Sequence, residues 1–120
     1  MDIDSSDVFK MIFKSLDDGK GQEIICLEVS NLSSMIEVMI FVTGRSQRHI
    51  YSMAVKAGEE LKHSLTLNTS VEGDKFSDWI LLDAGDVVVN LMTEESRKFY
   101  SIEKLWLETG KKNIINIDEI

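Results

Sequence analysis

Asp78-Trp79-Ile80-Leu81-Leu82-Asp83-Ala84-Gly85-Asp86-Val87-Val88-Val89-Asn90-Leu91-Met92 is the stretch that decides the fold. Two runs rich in β-branched and aromatic residues flank a short turn containing glycine, the pattern of a β-hairpin. In the first run, Trp79, Leu81 and Asp83 share one face of an extended strand, and Ile80 and Leu82 share the other. Apolar residues on both faces mean that at least one face meets a helix. The other meets a helix or a partner.

Working outward, Thr93 is placed to cap a short helix whose first turn, Glu94-Glu95, suits the positive end of the helix dipole. Phe99, Ile102, Leu105 and Trp106 are expected to form its apolar side, with Trp106 as the anchor. Residues 108–120 lack a clear period and are expected to form a mobile tail. Upstream, residues 66–77 are polar, with a short strand near Val71. Before them, Ser46 caps a helix running to about Leu65, in which Ile50, Met53, Ala54, Ala57 and Leu61 keep the 3.6-residue period. Gly58 costs that helix about 1 kcal/mol relative to alanine. Close approach of the helix to the sheet is the expected compensation.

Glu37 to Thr43, ending at Gly44, and Glu23 to Val29 are two more strand candidates, separated by the turn cluster Ser30-Asn31-Leu32-Ser33-Ser34. Glu23 to Val29 is nearly continuous in apolar residues, as in a strand buried on both faces. The first helix is capped by Ser5 or Ser6 and carries Val8, Met11, Ile12 and Ser15 or Leu16 on one face, widened by Phe9 and Phe13. Gly19 is suited to the left-handed position after its end. This order predicts an α/β fold, a mixed β-sheet with flanking helices, as a single domain over residues 1–107 followed by the tail. Three short helices can leave part of one sheet face exposed, and such a face suits a partner.

Composition narrows the function. A chain of 120 residues, 43% hydrophobic and 28% charged, can bury a real core in one domain. The single cysteine, Cys26, excludes an internal disulfide and sits in an apolar run, where an inert buried thiol is expected. The acidic start of the chain is unlike a secretory signal, and no apolar stretch approaches the ~20 residues of a membrane span. A cytoplasmic protein is expected. The net charge of −8, from 21 acidic and 13 basic side chains, disfavours holding nucleic acid mainly through phosphates. A basic protein is the better electrostatic partner.

Asp83 and Asp86 are the most tempting catalytic pair. Carboxylates near strand ends can hold magnesium and a nucleotide's phosphates, as in nucleotidyl transfer. Gly44-Arg45-Ser46 ahead of a helix can present N–H groups to a phosphate. Aspartate and glycine are also what a tight turn requires, and turn chemistry is the better prior. Trp79 is likewise either a core residue or an interface anchor. His49 and His63 have no ligands at metal spacing and read as ordinary helix-surface residues. No metal site and no cofactor is expected.

The string from Trp79 to Trp106 resembles the signature of the ribosomal silencing factors, the Iojap family. Leu32-Ser33-Ser34, Gly44-Arg45-Ser46 and Val71-Glu72-Gly73 fall in that family's order and spacing, so the resemblance covers roughly residues 8–107. It implies a nucleotidyltransferase-like topology without the catalytic carboxylates, and no enzymatic activity. It implies a translation repressor that binds a protein on the intersubunit face of the large ribosomal subunit and blocks joining of the small subunit. Organelle relatives imply large-subunit assembly as an alternative, and the free protein is expected to be a homodimer. Trp79, Leu81, Asp83, Ala84, Asp86 and Asn90 are the expected partner-binding residues. Arg45 and Arg48 are candidates for minor contacts with ribosomal RNA, although two arginines there are more often solvated. The chain departs from the family at Glu37-Val38, where an aspartate-tyrosine pair is usual. It departs again at Ala84, Asn90 and Glu94, where tyrosine, histidine and proline are usual.

Overall fold

In the computed structural model, which describes residues 5–30, 33–101 and 104, the hairpin forms as the sequence implies. The elements in chain order are α1 (Ser5–Asp18), β1 (Gln22–Glu28), β2 (Val38–Gly44), α2 (Gln47–Leu65), β3 (Ser70–Glu72), β4 (Trp79–Ala84), β5 (Val87–Thr93) and α3 (Glu94–Tyr100). β4 and β5 pair antiparallel from Trp79↔Met92 to Ala84↔Val87. Their turn is made by Gly85 at φ +78°, a conformation glycine adopts without steric cost. The Gly85 N–H donates to Asp83 Oδ1 at 2.9 Å, the local bond that favours aspartate in turns.

The five strands run in the order β1-β2-β5-β4-β3. β2 and β5 are parallel, and the other pairs are antiparallel, so the sheet is mixed. β2 lies between two neighbours, and all seven of its residues are buried. The registers assign the faces. Val38, Ile40 and Val42 align with Val87, Val89 and Leu91, and these with Ala84, Leu82 and Ile80. That face packs on Val8, Phe9, Ile12 and Leu16 of α1 and on Ile50, Met53, Ala54, Ala57 and Leu61 of α2. Each fully buried Val, Leu, Ile, Phe or Met side chain among these contributes about 1.5–3 kcal/mol. The opposite face carries Met39 and Phe41, which cluster with Leu27 and Val29. Further along it lie Asn90, Leu81 and Trp79.

The caps follow from chemistry. Ser46 Oγ accepts the His49 N–H at 3.1 Å and starts α2. Thr66, at φ 54°, closes it by donating its N–H to the carbonyls of Leu61 and Lys62.

Four expectations need correction. β1 is an edge strand, and its burial on both faces, by Cys26 on the helix side and Leu27 on the other, does not reach its start, where Gln22 and Glu23 are exposed. Its pairing with β2 is interrupted between Gln22 and Ile25, and Glu23 takes φ 50°. The left-handed residue after α1 is Lys20 at φ 69°, not Gly19. Space at 19 is tight, since a Cβ there would meet the Ser15 carbonyl at 3.2 Å and Met53 Cγ at 3.3 Å. His49 is no ordinary surface residue. Its Nδ1 accepts the Arg45 N–H at 2.9 Å, so its Nε2–H donates to the Gly19 carbonyl at 2.7 Å. One imidazole thus ties the end of α1 to the start of α2. Finally, Phe99 is 82% exposed, and the residues α3 buries are Ser96 and Arg97.

Gly58 does allow close approach, since a Cβ there would lie 2.9 Å from Thr69 Oγ1 and 3.8 Å from Leu82 Cδ1 of β4. The side chains of Ser5 and Ser6, and Leu32, Ile102, Leu105, Trp106 and the tail 108–120, lie outside the described residues. The domain boundary expected at 107 lies there too.

Candidate functional site

The face of the sheet turned away from α1 and α2 gathers most of the residues singled out from the sequence. Trp79, Leu81 and Asp83 alternate along β4 on this face, and Leu81 stands beside Asn90 of β5 in register. The Trp79 Nε1–H donates to Asn90 Oδ1 at 2.9 Å. Asn90 is only 3% exposed, so its amide orients the indole from beneath and presents little surface of its own. Asp83 is exposed, and one of its carboxylate oxygens is engaged by the turn at Gly85. Asp86 is exposed in the same turn, where its carbonyl accepts the N–H groups of Glu37 and Val38 at 2.8 and 3.1 Å.

Ala84 does not join this group. It is 3% exposed, and its side chain lies in the core between the sheet and the helices. The strict alternation of a strand puts it on the opposite face from Asp83. It therefore presents nothing to a partner, and the departure at this position alters packing.

The structure adds three residues to the face. α3 is tethered over the start of β4 by the Ser96 hydroxyl, which donates to the Asp78 carbonyl at 2.7 Å. Thr93 caps the helix, its side chain accepting the Ser96 N–H at 3.4 Å. Arg97 is buried, and its Nη1 donates to the Glu23 carbonyl at 2.7 Å and to Thr43 Oγ1 at 2.8 Å. With Ser96 and Arg97 turned inward, Phe99 must turn outward, two residues and about 200° further round the helix. Tyr100 then stacks on Trp79 with ring centres 5.1 Å apart at 43°, and Phe99 meets Tyr100 edge-on at 5.0 Å and 86°. Tyr100 is 54% exposed. The third addition is Glu72 of β3, exposed and paired in register with Leu81. Glu72, Gly73, Trp79 and Leu81 line a shallow depression of about 300 Å³.

The outcome is an apolar strip, Phe99-Tyr100-Trp79-Leu81, bordered by the carboxylates of Glu72 and Asp83. Such a strip can bury aromatic area and set a basic group at its edge. Of the pair considered for nucleotidyl transfer, Asp83 serves the hairpin turn through Oδ1, and the Asp86 carbonyl ties that turn to the start of β2. Elsewhere, Cys26 is buried, and burial pushes its thiol up to about 12. His63 is exposed near the end of α2. Among the described residues, no helix is long and apolar enough to cross a membrane.

Residues 2–120 match the family model described as ribosomal silencing factor during starvation. A ribosomal silencing factor of Chromobacterium violaceum is 38% identical over 100 residues, covering 83% of this chain and 82% of that protein. One from Zymomonas mobilis is 35% identical over 99 residues, covering 82% and 74%. A mouse protein named mitochondrial assembly of ribosomal large subunit protein 1 is 29% identical over 99 residues, covering 80% of this chain and 43% of its own length. A crystal structure of a Chromobacterium violaceum protein superposes with a TM-score of 0.82 at 36% identity, covering 87% of each chain.

Proposed function

The chain belongs to the ribosomal silencing factor family, and from that premise we propose that it represses translation by occupying the large ribosomal subunit. It docks on a protein of the intersubunit face, where its bulk keeps the small subunit from joining. The observation that carries this reading is the strip Trp79, Leu81, Phe99 and Tyr100 on the sheet face that α1 and α2 leave open. Tryptophan and tyrosine are enriched among residues that dominate interfaces. The carboxylates of Glu72 and Asp83 beside it, with Asp86 exposed in the adjoining turn, favour a basic protein surface, which ribosomal proteins commonly offer, over bare RNA. Asn90 acts through Trp79 by fixing its ring.

Occupancy is the function, so no transition state is stabilised and no cofactor is called for. The action is cytoplasmic. Without a ribosome, a second copy of the chain covers the strip, giving a homodimer that opens on docking. The name of the mouse relative supports assembly of the large subunit as a second use of the same surface.

Co-sedimentation of the purified chain with isolated large subunits, with small subunits as the control, tests the proposal. We expect selective migration with large subunits, weakened at least tenfold by Phe99→Asp/Asp86→Lys, both at exposed positions. Equal migration with both subunits, or a variant that binds as well as the parent, would overturn it.

A further inference from the structure

The opposite side of the molecule carries a feature that docking through the strip does not use. α2 buries Ile50, Met53, Ala54, Ala57 and Leu61 against the sheet. Arg48 and Glu59 each stand two residues, about 200°, from a member of that stripe, on the outer side of the helix. There a groove of about 430 Å³ is lined by Arg48, Tyr51, Lys56 and Glu59 from α2 and by Lys75 from the loop before β4. Three cations face one carboxylate in a chain whose net charge is −8. Tyr51 is half-buried in the groove wall. Phe76, next to Lys75, is 73% exposed, and the Lys75 ammonium lies 5.5 Å from the centre of its ring.

We propose that this groove binds a single-stranded segment of RNA. Its phosphates meet Arg48, Lys56 and Lys75, and a base stacks on Phe76 or Tyr51. Cations that track a backbone, interleaved with aromatic rings that take bases, are the combination single-stranded nucleic acid requires. An acidic peptide would use the cations, and only its occasional apolar side chains would use the rings, whereas every base of a single strand offers a face to stack, which is why RNA is the better fit. The groove and the strip lie on opposite sides of the sheet, so both can be filled at once.

The test is fluorescence anisotropy of a short labelled uridine oligonucleotide titrated with the full chain. Three phosphate contacts on a single strand predict a salt slope of about −2, which is about a 20-fold loss of affinity between roughly 50 and 200 mM salt. Lys56→Gln/Lys75→Gln should remove about two-thirds of that slope, and Phe76→Ala should weaken binding at least fivefold. All three positions are exposed, and circular dichroism confirms that the variants fold. Three results would overturn the proposal: no saturable binding at low salt, affinity and slope unchanged in the lysine variant, or displacement by a polyglutamate peptide as effective as by unlabelled RNA. Duplex RNA binding as tightly as the single strand would overturn it as well. No ribosome is present in this assay, so its failure leaves docking through the strip standing, and the converse holds.

Discussion

Replacing Asn90 with alanine tests how the strip is held. Asn90 is 3% exposed and accepts the Trp79 Nε1–H at 2.9 Å, so truncation strands an indole N–H in a half-buried site. Losing one partner of such a bond costs about 1–3 kcal/mol. For a domain of this size that lowers Tm by roughly 4–12 °C. The cost belongs to the pair and not to either residue, so a double-mutant cycle isolates it. Trp79→Phe removes the donor, Asn90→Leu removes the acceptor, and the double variant leaves neither group stranded. Urea unfolding followed by circular dichroism should give a coupling of about 1 kcal/mol, the double variant losing less than the sum of the singles. Additivity to within about 0.3 kcal/mol would refute the claim that this bond fixes the indole. Asn90→His adds a control. A neutral imidazole nitrogen can also accept the indole N–H, so this variant should keep most of the coupling at pH 8.

Three further predictions rest on the core. Burial pushes the Cys26 thiol up to about 12, so at pH 8 only about one folded molecule in ten thousand carries the thiolate. Labelling by iodoacetamide should therefore track unfolding, and rapid labelling of folded protein would refute the burial. The Ser15 hydroxyl is buried with no hydrogen-bond partner among the described residues, so Ser15→Ala should raise stability by about 1 kcal/mol in urea titration. A Cβ on Gly44 would lie 2.5 Å from Ile50 Cγ2 and 3.1 Å from His49 Nδ1. Gly44→Ala should therefore lower Tm by about 10 °C or more, through overpacking at the junction of β2 and α2.

The hairpin and α2 were legible because their signals are local. A turn containing glycine between two β-rich runs leaves one arrangement, and Ser46 ahead of a periodic stripe leaves one helix start. Alternation along β4 separated Trp79, Leu81 and Asp83 from Ile80 and Leu82, and the same rule, carried one residue further, would have sent Ala84 to the core. What stayed hidden depends on long-range placement. An apolar run such as Ile24 to Leu27 says that a strand is buried, but not whether it has one neighbour or two. The apolar residues of α3 suggested that Phe99 turns inward. The anchors that set the rotation are instead polar: Ser96 bonded to the Asp78 carbonyl and Arg97 bonded to Thr43 and the Glu23 carbonyl. Polar residues that hold a helix down leave no periodic trace. The bridge made by His49 was hidden for the same reason, since Gly19 lies thirty residues away in sequence.

Both borders of the sheet end abruptly. β3 has only three residues, with Ser70 and Glu72 exposed, and β1 breaks its pairing beside Glu23 at φ 50°. A foreign strand seeking to extend the sheet would find a charged ledge too short to grip on one side and a kinked ladder on the other. The molecule can thus carry a wide aromatic surface on its flat side while its rims give a foreign strand little to pair with, so contacts with other chains are steered away from the sheet edges.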